Sequence, residues 1–114
     1  MDTVQLVLVI HNHQPVGNFD AVFREVTERA YLPFLRVAER YPEVRFGLHT
    51  SGCLLEWMEQ NGGEYLELVR QLVRSGQVEL LGGGMYEPIL PVLPRRDALW
   101  QLRRMSEYVE QLLS

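Results

Sequence analysis

The chain carries a single cysteine, Cys53, among its 114 residues. It cannot form an internal disulfide, which excludes a stapled secreted scaffold and leads us to expect a reducing, cytoplasmic setting. It has no apolar run near the roughly 18 residues that a membrane span requires. The apolar stretch at residues 4–10 follows Asp2, without a basic leader or a small-residue cleavage site, so a signal peptide is not expected. Basic charge is also scarce. With a net charge of -4 and a pI near 5.3, the chain lacks the basic surface that phosphate contacts demand, and Arg95-Arg96 and Arg103-Arg104 are too few to make a patch. Nucleic acid and membrane are therefore not expected partners. No repeat, low-complexity tract or linker is visible, and residues 1–114 read as one unit.

Hydrophobic residues make up 46%, an ordinary fraction for a folded domain. Val4 to Ile10 is aliphatic at nearly every position, which predicts a strand covered on both faces, as in parallel sheets. Asn18 or Asp20 is a candidate cap for a helix whose apolar face runs Phe19, Val22, Phe23, Val26, Ala30, Phe34, Val37, Ala38 and Tyr41. Pro33 lies inside that pattern and should kink it or open a second helix from its first turn. A second strand is expected at Val44–His49, then a short helix capped by Ser51 and broken at Asn61-Gly62-Gly63. A helix over Tyr65–Val73 should stop at Gly76. A third strand follows at Gln77–Leu81, then a loop through Gly82–Pro88 and a last helix capped by Asp97. Strand and helix alternate three times, the pattern of parallel β/α units and an α/β fold.

The chain's polar chemistry collects in three places. The first strand runs into His11-Asn12-His13-Gln14-Pro15, the second into His49-Thr50-Ser51-Gly52, and the third, carrying Glu79, into Gly82–Pro88. All three histidines thus fall at carboxyl ends of expected strands, where parallel α/β folds bind ligands. His49 alone also fits a structural hydrogen bond to a carbonyl. Glu79 among Val78, Leu80 and Leu81 is costly unless paired, or else it marks the solvated face of an edge strand. The triple glycine matches neither a phosphate loop nor a dinucleotide fingerprint and reads as a place of close backbone approach or a sharp turn. Trp57 and Trp100 are expected in the core, with Cys53 as a small buried hydrophobe.

The segments HNHQPVGNF, YLPFL, HTSGCLLEWMEQN and GQVELLGGGMYEPILPVLP, with the spacing between them, resemble the N-terminal part of glycoside hydrolase family 57, in particular its 4-α-glucanotransferase and α-amylase-like members. The resemblance covers essentially the whole chain. It implies the first three units of a distorted seven-stranded β/α barrel, acting on α-1,4-glucan or maltooligosaccharide by a retaining mechanism with two carboxylates. It places His13 and Glu79, with His11 beside them, in the donor-sugar subsite. His49, Tyr86, Glu87 and Trp57 are possible additions, Tyr86 or Trp57 as an apolar sugar platform. It implies no metal and no cofactor. In the family the nucleophile glutamate lies on the fourth strand in a Trp-x-x-Glu segment, and the acid/base aspartate comes later. Neither has a counterpart before Ser114, so the resemblance implies no catalytic residue here and an inactive chain when alone. Strands cut from a barrel leave open edges, so self-association is expected. Two rival readings remain. One is a metal-dependent, amidohydrolase-like hydrolase built on His11-x-His13, with His49 and Glu87 as further ligands. The other is a non-catalytic glucan-binding or assembly module.

Overall fold

The computed structural model describes residues 2–114. Three strands form one parallel sheet in the order β1-β2-β3: β1 (Val9–Asn12), β2 (Phe46–Thr50) and β3 (Val78–Leu80). Five α-helices connect and cover them: α1 (Asp20–Val26), α2 (Leu32–Glu39), α3 (Gly52–Asn61), α4 (Gly63–Arg74) and α5 (Arg95–Leu113). The α/β class and the parallel pairing are as the sequence pattern predicts.

Alternation along the strands decides what each face does. Asn12, Phe46, Leu48, Thr50 and Val78 are buried toward the helices, with Ile10 and Leu80 partly buried on the same side. The alternate set, Val9, His11, Gly47, His49 and Glu79, faces the other way and carries no helix layer among the described residues. Helix α4 is the centre of the covered side, packing on α2, α3, α5 and β3. Its Tyr65, Leu66, Val69 and Leu72 recur at helical spacing and are all buried, meeting Leu48, Leu54, Met58, Met85 and Met105 in the core.

The first strand corrects the expectation for residues 4–10. Pairing begins only at Val9, and Val4 and Leu6 are 90% and 88% exposed. Val4 and Leu6 share the parity of the helix-facing Ile10 and Asn12, and Val7 (85% exposed) that of Val9, so the run is bare on both faces because it lies ahead of the paired strand. Cap positions also shift. Helix α1 follows Phe19, α5 follows Pro94, and Asp97 sits within the first turn of α5. Ser51 does precede α3, but its hydroxyl accepts from the Gln14 N–H (3.2 Å) and leaves the helix uncapped by a side chain.

Pro33 acts on the turn before it. Thr27–Tyr31 is a π-helical stretch that joins α1 to α2, and Pro33 lies in the first turn of α2. The proline ring presses on the carbonyl four residues back and offers no N–H, so widening the preceding turn relieves the clash without breaking the rod. Gly76 ends the α4 connection at φ +75°, as expected of a helix stop. Beside it the buried Gln77 amide nitrogen lies 2.8–3.1 Å from the carbonyls of Ala38, Tyr41 and Val44, tying the α2–β2 loop to β3.

Candidate functional site

The carboxyl ends of β1 and β2 bring the three histidines together. His11 and His49 are direct register partners, their rings 4.8 Å apart and 26° from parallel. Their Nδ1 atoms lie 2.7 Å apart, so one donates and the other accepts. His13, just beyond the end of β1, has its ring 5.7 Å from that of His11. Glu87 arrives from the loop after β3 and joins the group. Its Oε1 is 3.1 Å from His11 Nε2 and 3.8 Å from His49 Nδ1, and its Oε2 bonds His13 Nδ1. One proton arrangement satisfies the central contacts: His11 Nε2–H donates to Glu87, and His49 Nδ1–H donates to His11 Nδ1. Both imidazoles are then neutral.

Buried hydrogen bonds on the helix side hold this cluster. Between His11 and His13, the Asn12 amide turns inward and donates to the Tyr65 hydroxyl (2.9 Å). Thr50, next to His49, bonds the same hydroxyl at 2.7 Å. One α4 side chain therefore pins the ends of both histidine-bearing strands. Gln14 donates to Tyr31 Oη (3.0 Å), and that hydroxyl donates to the His13 carbonyl (3.0 Å). The Gln14 carbonyl takes the Cys53 thiol at 2.9 Å. Cys53 is only partly buried, and burial still raises its thiol pKa above the ordinary value. Alternation is the reason for this arrangement, because every second residue of the histidine segment faces the helices, where Asn12 and Gln14 need partners.

The Glu87 backbone adopts φ +51°, the left-handed region that a non-glycine residue enters only under constraint. The constraint starts two residues earlier. Met85 is fully buried against Gly52, and Gln101 accepts from both the Met85 N–H (backbone oxygen, 3.2 Å) and the Tyr86 N–H (Oε1, 2.8 Å). The loop is fastened to α3 and α5, and Glu87 is aimed at the imidazoles.

The remaining candidates lie apart from the cluster. Glu79 is exposed on β3, opposite Gly47, on the open face but one residue pair behind the imidazole row, a step of about 7 Å along the strand. Tyr86 turns toward α3, where its hydroxyl donates to Glu56 (2.8 Å); that bond, with burial, raises the phenol pKa. Trp57 is half-buried, donating from Nε1 to Asp20 (2.5 Å) and stacking on Phe23 at 5.7 Å. Trp100 corrects its core assignment, being 52% exposed. Sequence reasoning included Glu87 without its central position, and missed Asn12, Gln14, Tyr31 and Tyr65 as the residues that hold the site. The available signal was polar residues at alternate positions of an otherwise apolar strand.

Burial lowers the His49 pKa below 6.5, His11 and His13 lower it further, and Glu87 partly offsets them. The group is depressed, so its neutral form contributes stability that is fully present above the unfolded pKa near 6.5. That contribution is lost as pH falls from there through the folded value. We expect imidazole titration by NMR to give His49 a pKa below 6.5, and Glu87→Gln to lower it further. A rise in Glu87→Gln would contradict this assignment.

His11, His13 and Glu87 also present ligand atoms that all lie within 4.8 Å of one another. Two imidazoles and a carboxylate are a donor set suited to zinc with an open position. Here each donor already finds its hydrogen-bond complement within the group.

Comparison with known proteins agrees with the resemblance found in the sequence. The model of glycosyl hydrolase family 57 matches residues 7–114. An alpha-amylase from Pyrococcus furiosus is 45% identical over 111 residues, covering 97% of this chain and 17% of the relative. A 4-alpha-glucanotransferase from Thermococcus litoralis is 43% identical over 112 residues, covering 98% of this chain and 17% of its own length. The crystal structure of the Thermococcus litoralis 4-alpha-glucanotransferase superposes with a TM-score of 0.89 at 44% identity, covering 93% of this chain and 17% of that one. The chain thus spans about a sixth of the length of these relatives. With a family model matched over nearly every residue and the parallel sheet superposing as closely as its sequence identity implies, the chain belongs to glycosyl hydrolase family 57.

Proposed function

We propose that this chain contributes a donor-sugar subsite to a protein acting on α-1,4-glucans or maltooligosaccharides. The observation that carries the reading is the row of imidazoles linked through Glu87 at the carboxyl ends of parallel strands, on a face that no helix covers. The ring nitrogens outside these contacts, His13 Nε2 and His49 Nε2, and the further lone pairs of the Glu87 carboxylate suit the paired hydroxyls of a sugar ring. Glu79, on the same face, extends the acceptor surface along the sheet. Retaining glycoside chemistry needs two carboxyl groups about 5–5.5 Å apart flanking the bond. Glu87 is the carboxylate that the imidazoles contact, and its hydrogen bonds to His11 and His13 suit it to fixing those rings. In this reading the reacting pair lies outside these residues and the chain alone does not turn over glucan. The open face would be a barrel interior, the 114 residues one barrel segment, and the setting cytoplasmic.

Calorimetry with maltotriose tests the reading. His13→Ala and Glu87→Ala should each weaken binding at least about tenfold, the loss of one or two hydrogen bonds to a charged or polarised group. Unchanged affinity in both would overturn it. The metal-dependent reading rests on the His11, His13 and Glu87 donor set, and stoichiometric zinc that disappears in His11→Ala with His13→Ala would replace the sugar reading. The exposed segment Val4–Val9 and the two edge strands β1 and β3 lead us to propose self-association as well. Light scattering should show mass rising with concentration, and a monomer at every concentration would contradict it.

A further inference from the structure

Tyr86 and Trp100 form an aromatic surface that the imidazole cluster does not use. Their rings are 6.4 Å apart and 28° from parallel, and they remain 37% and 52% exposed. The pair sets two large rings side by side at the surface, an apolar face on which a flat ligand can stack. The Tyr86 ring is held in place. Its hydroxyl is tied to Glu56 and its N–H to the side chain of Gln101, the residue after Trp100. Beside Trp100 runs a groove of about 330 Å³ lined by Arg96, Leu99, Trp100, Arg103, Arg104 and Glu107. That volume falls within the range of small-ligand sites. The groove combines a flat apolar wall with guanidinium donors and a carboxylate acceptor.

Carbohydrate presents that same mixture, with C–H faces that stack on rings and hydroxyls that both donate and accept. An anion is a poorer match. Glu107 shares the groove, the Arg96 guanidinium is paired with Asp97 at 3.0 Å, and the Arg104 guanidinium lies over the Tyr108 ring at 5.0 Å. We propose that Tyr86 and Trp100 are a platform for further glucosyl units of an α-glucan chain, a role that rests on the glucan reading of the imidazole site. The two surfaces are joined covalently, since Tyr86 precedes Glu87 in one fastened loop. A glucan held at the histidines and long enough to pass Tyr86 would gain the second contact at little further entropic cost. The platform therefore distinguishes long from short oligosaccharides.

The test compares maltoheptaose with maltotriose by calorimetry on the chain and its Trp100→Ala and Trp100→Tyr variants. Trp100 is exposed, so both variants should fold, and far-UV circular dichroism checks that they do. Trp100→Ala should weaken maltoheptaose about three- to tenfold and leave maltotriose unchanged, and Trp100→Tyr should recover most of the loss. In a Trp57→Phe background Trp100 is the sole indole, and its fluorescence should respond saturably to maltoheptaose. Equal maltoheptaose affinity in Trp100→Ala, with binding still lost in His13→Ala, would overturn the platform and leave the glucan reading standing. Absence of any maltooligosaccharide binding to the parent chain would overturn both. A Trp100 response to glucose 1-phosphate with none to maltoheptaose would make the groove an anion site and overturn the platform.

Discussion

Gly52→Ala should destabilise the fold by about 3 kcal/mol or more, at the upper end of overpacking costs. A Cβ at this position would stand 2.1 Å from the Met85 carbonyl oxygen, 2.6 Å from its sulfur and 2.9 Å from its carbonyl carbon. A flexible side chain could swing away, but two of these atoms are backbone, and Met85 is fully buried under α3. The only relief is to push the loop outward. Because Glu87 hangs two residues beyond Met85, relief also withdraws its carboxylate from His11 and His13. Gly63→Ala is the matched control. Gly52 opens α3 and Gly63 opens α4, so both substitutions carry the same gain in helix propensity and the same loss of unfolded-chain entropy. At Gly63 an added Cβ meets no atom within 4 Å, so stability should hold or rise by about 0.4–1 kcal/mol. Urea denaturation of the two variants measures the difference. A Gly52→Ala protein as stable as Gly63→Ala would refute the close packing of α3 on the site loop.

Tyr65→Ala should cost about 3–5 kcal/mol or more, the usual range for removing a core aromatic, with an added penalty for two stranded polar groups. Tyr65→Phe isolates that second part. The phenyl ring keeps the packing in a fully buried position, and only the oxygen shared by Asn12 and Thr50 is lost. Asn12 Nδ2 is then a donor without its acceptor at a buried site, worth about 1–3 kcal/mol. The consequence reaches the functional face because Asn12 lies between His11 and His13 and Thr50 follows His49. With their shared anchor gone, the strand ends that set the 2.7 Å His11–His49 contact are no longer held together. NMR of the imidazoles in Tyr65→Phe should therefore show altered His11 and His49 signals with secondary structure retained. Unchanged signals and stability would mean that the hydroxyl anchors nothing.

Much of the site was readable in the residue order. The three histidines at strand ends, the break at Asn61-Gly62-Gly63, the stop at Gly76 and the effect of Pro33 follow from local rules. Each depends on only a few neighbouring residues: alternation along a strand, a missing N–H, a left-handed turn. Such rules place His11 and His49 at strand ends wherever the strands finally lie. They also supplied the motifs behind the family resemblance, which the comparison bears out over residues 7–114.

Three features needed the tertiary structure. An aliphatic run from Val4 to Ile10 has the same composition whether or not a neighbour covers it, and here strand pairing begins at Val9 and leaves Val4, Leu6 and Val7 exposed on both faces. Trp100 has the hydrophobicity of a core residue, yet α5 turns Met105, Tyr108 and Leu112 inward and leaves the indole outside. Glu87 was named only as a possible addition to the site, and the packing of Met85 on Gly52 is what aims it at three imidazoles. The common reason is range. Periodicity and turn chemistry act over a few residues, whereas the covering of a face and the aim of a loop are set by contacts between residues tens of positions apart, such as Gly52 with Met85 and Asn12 with Tyr65.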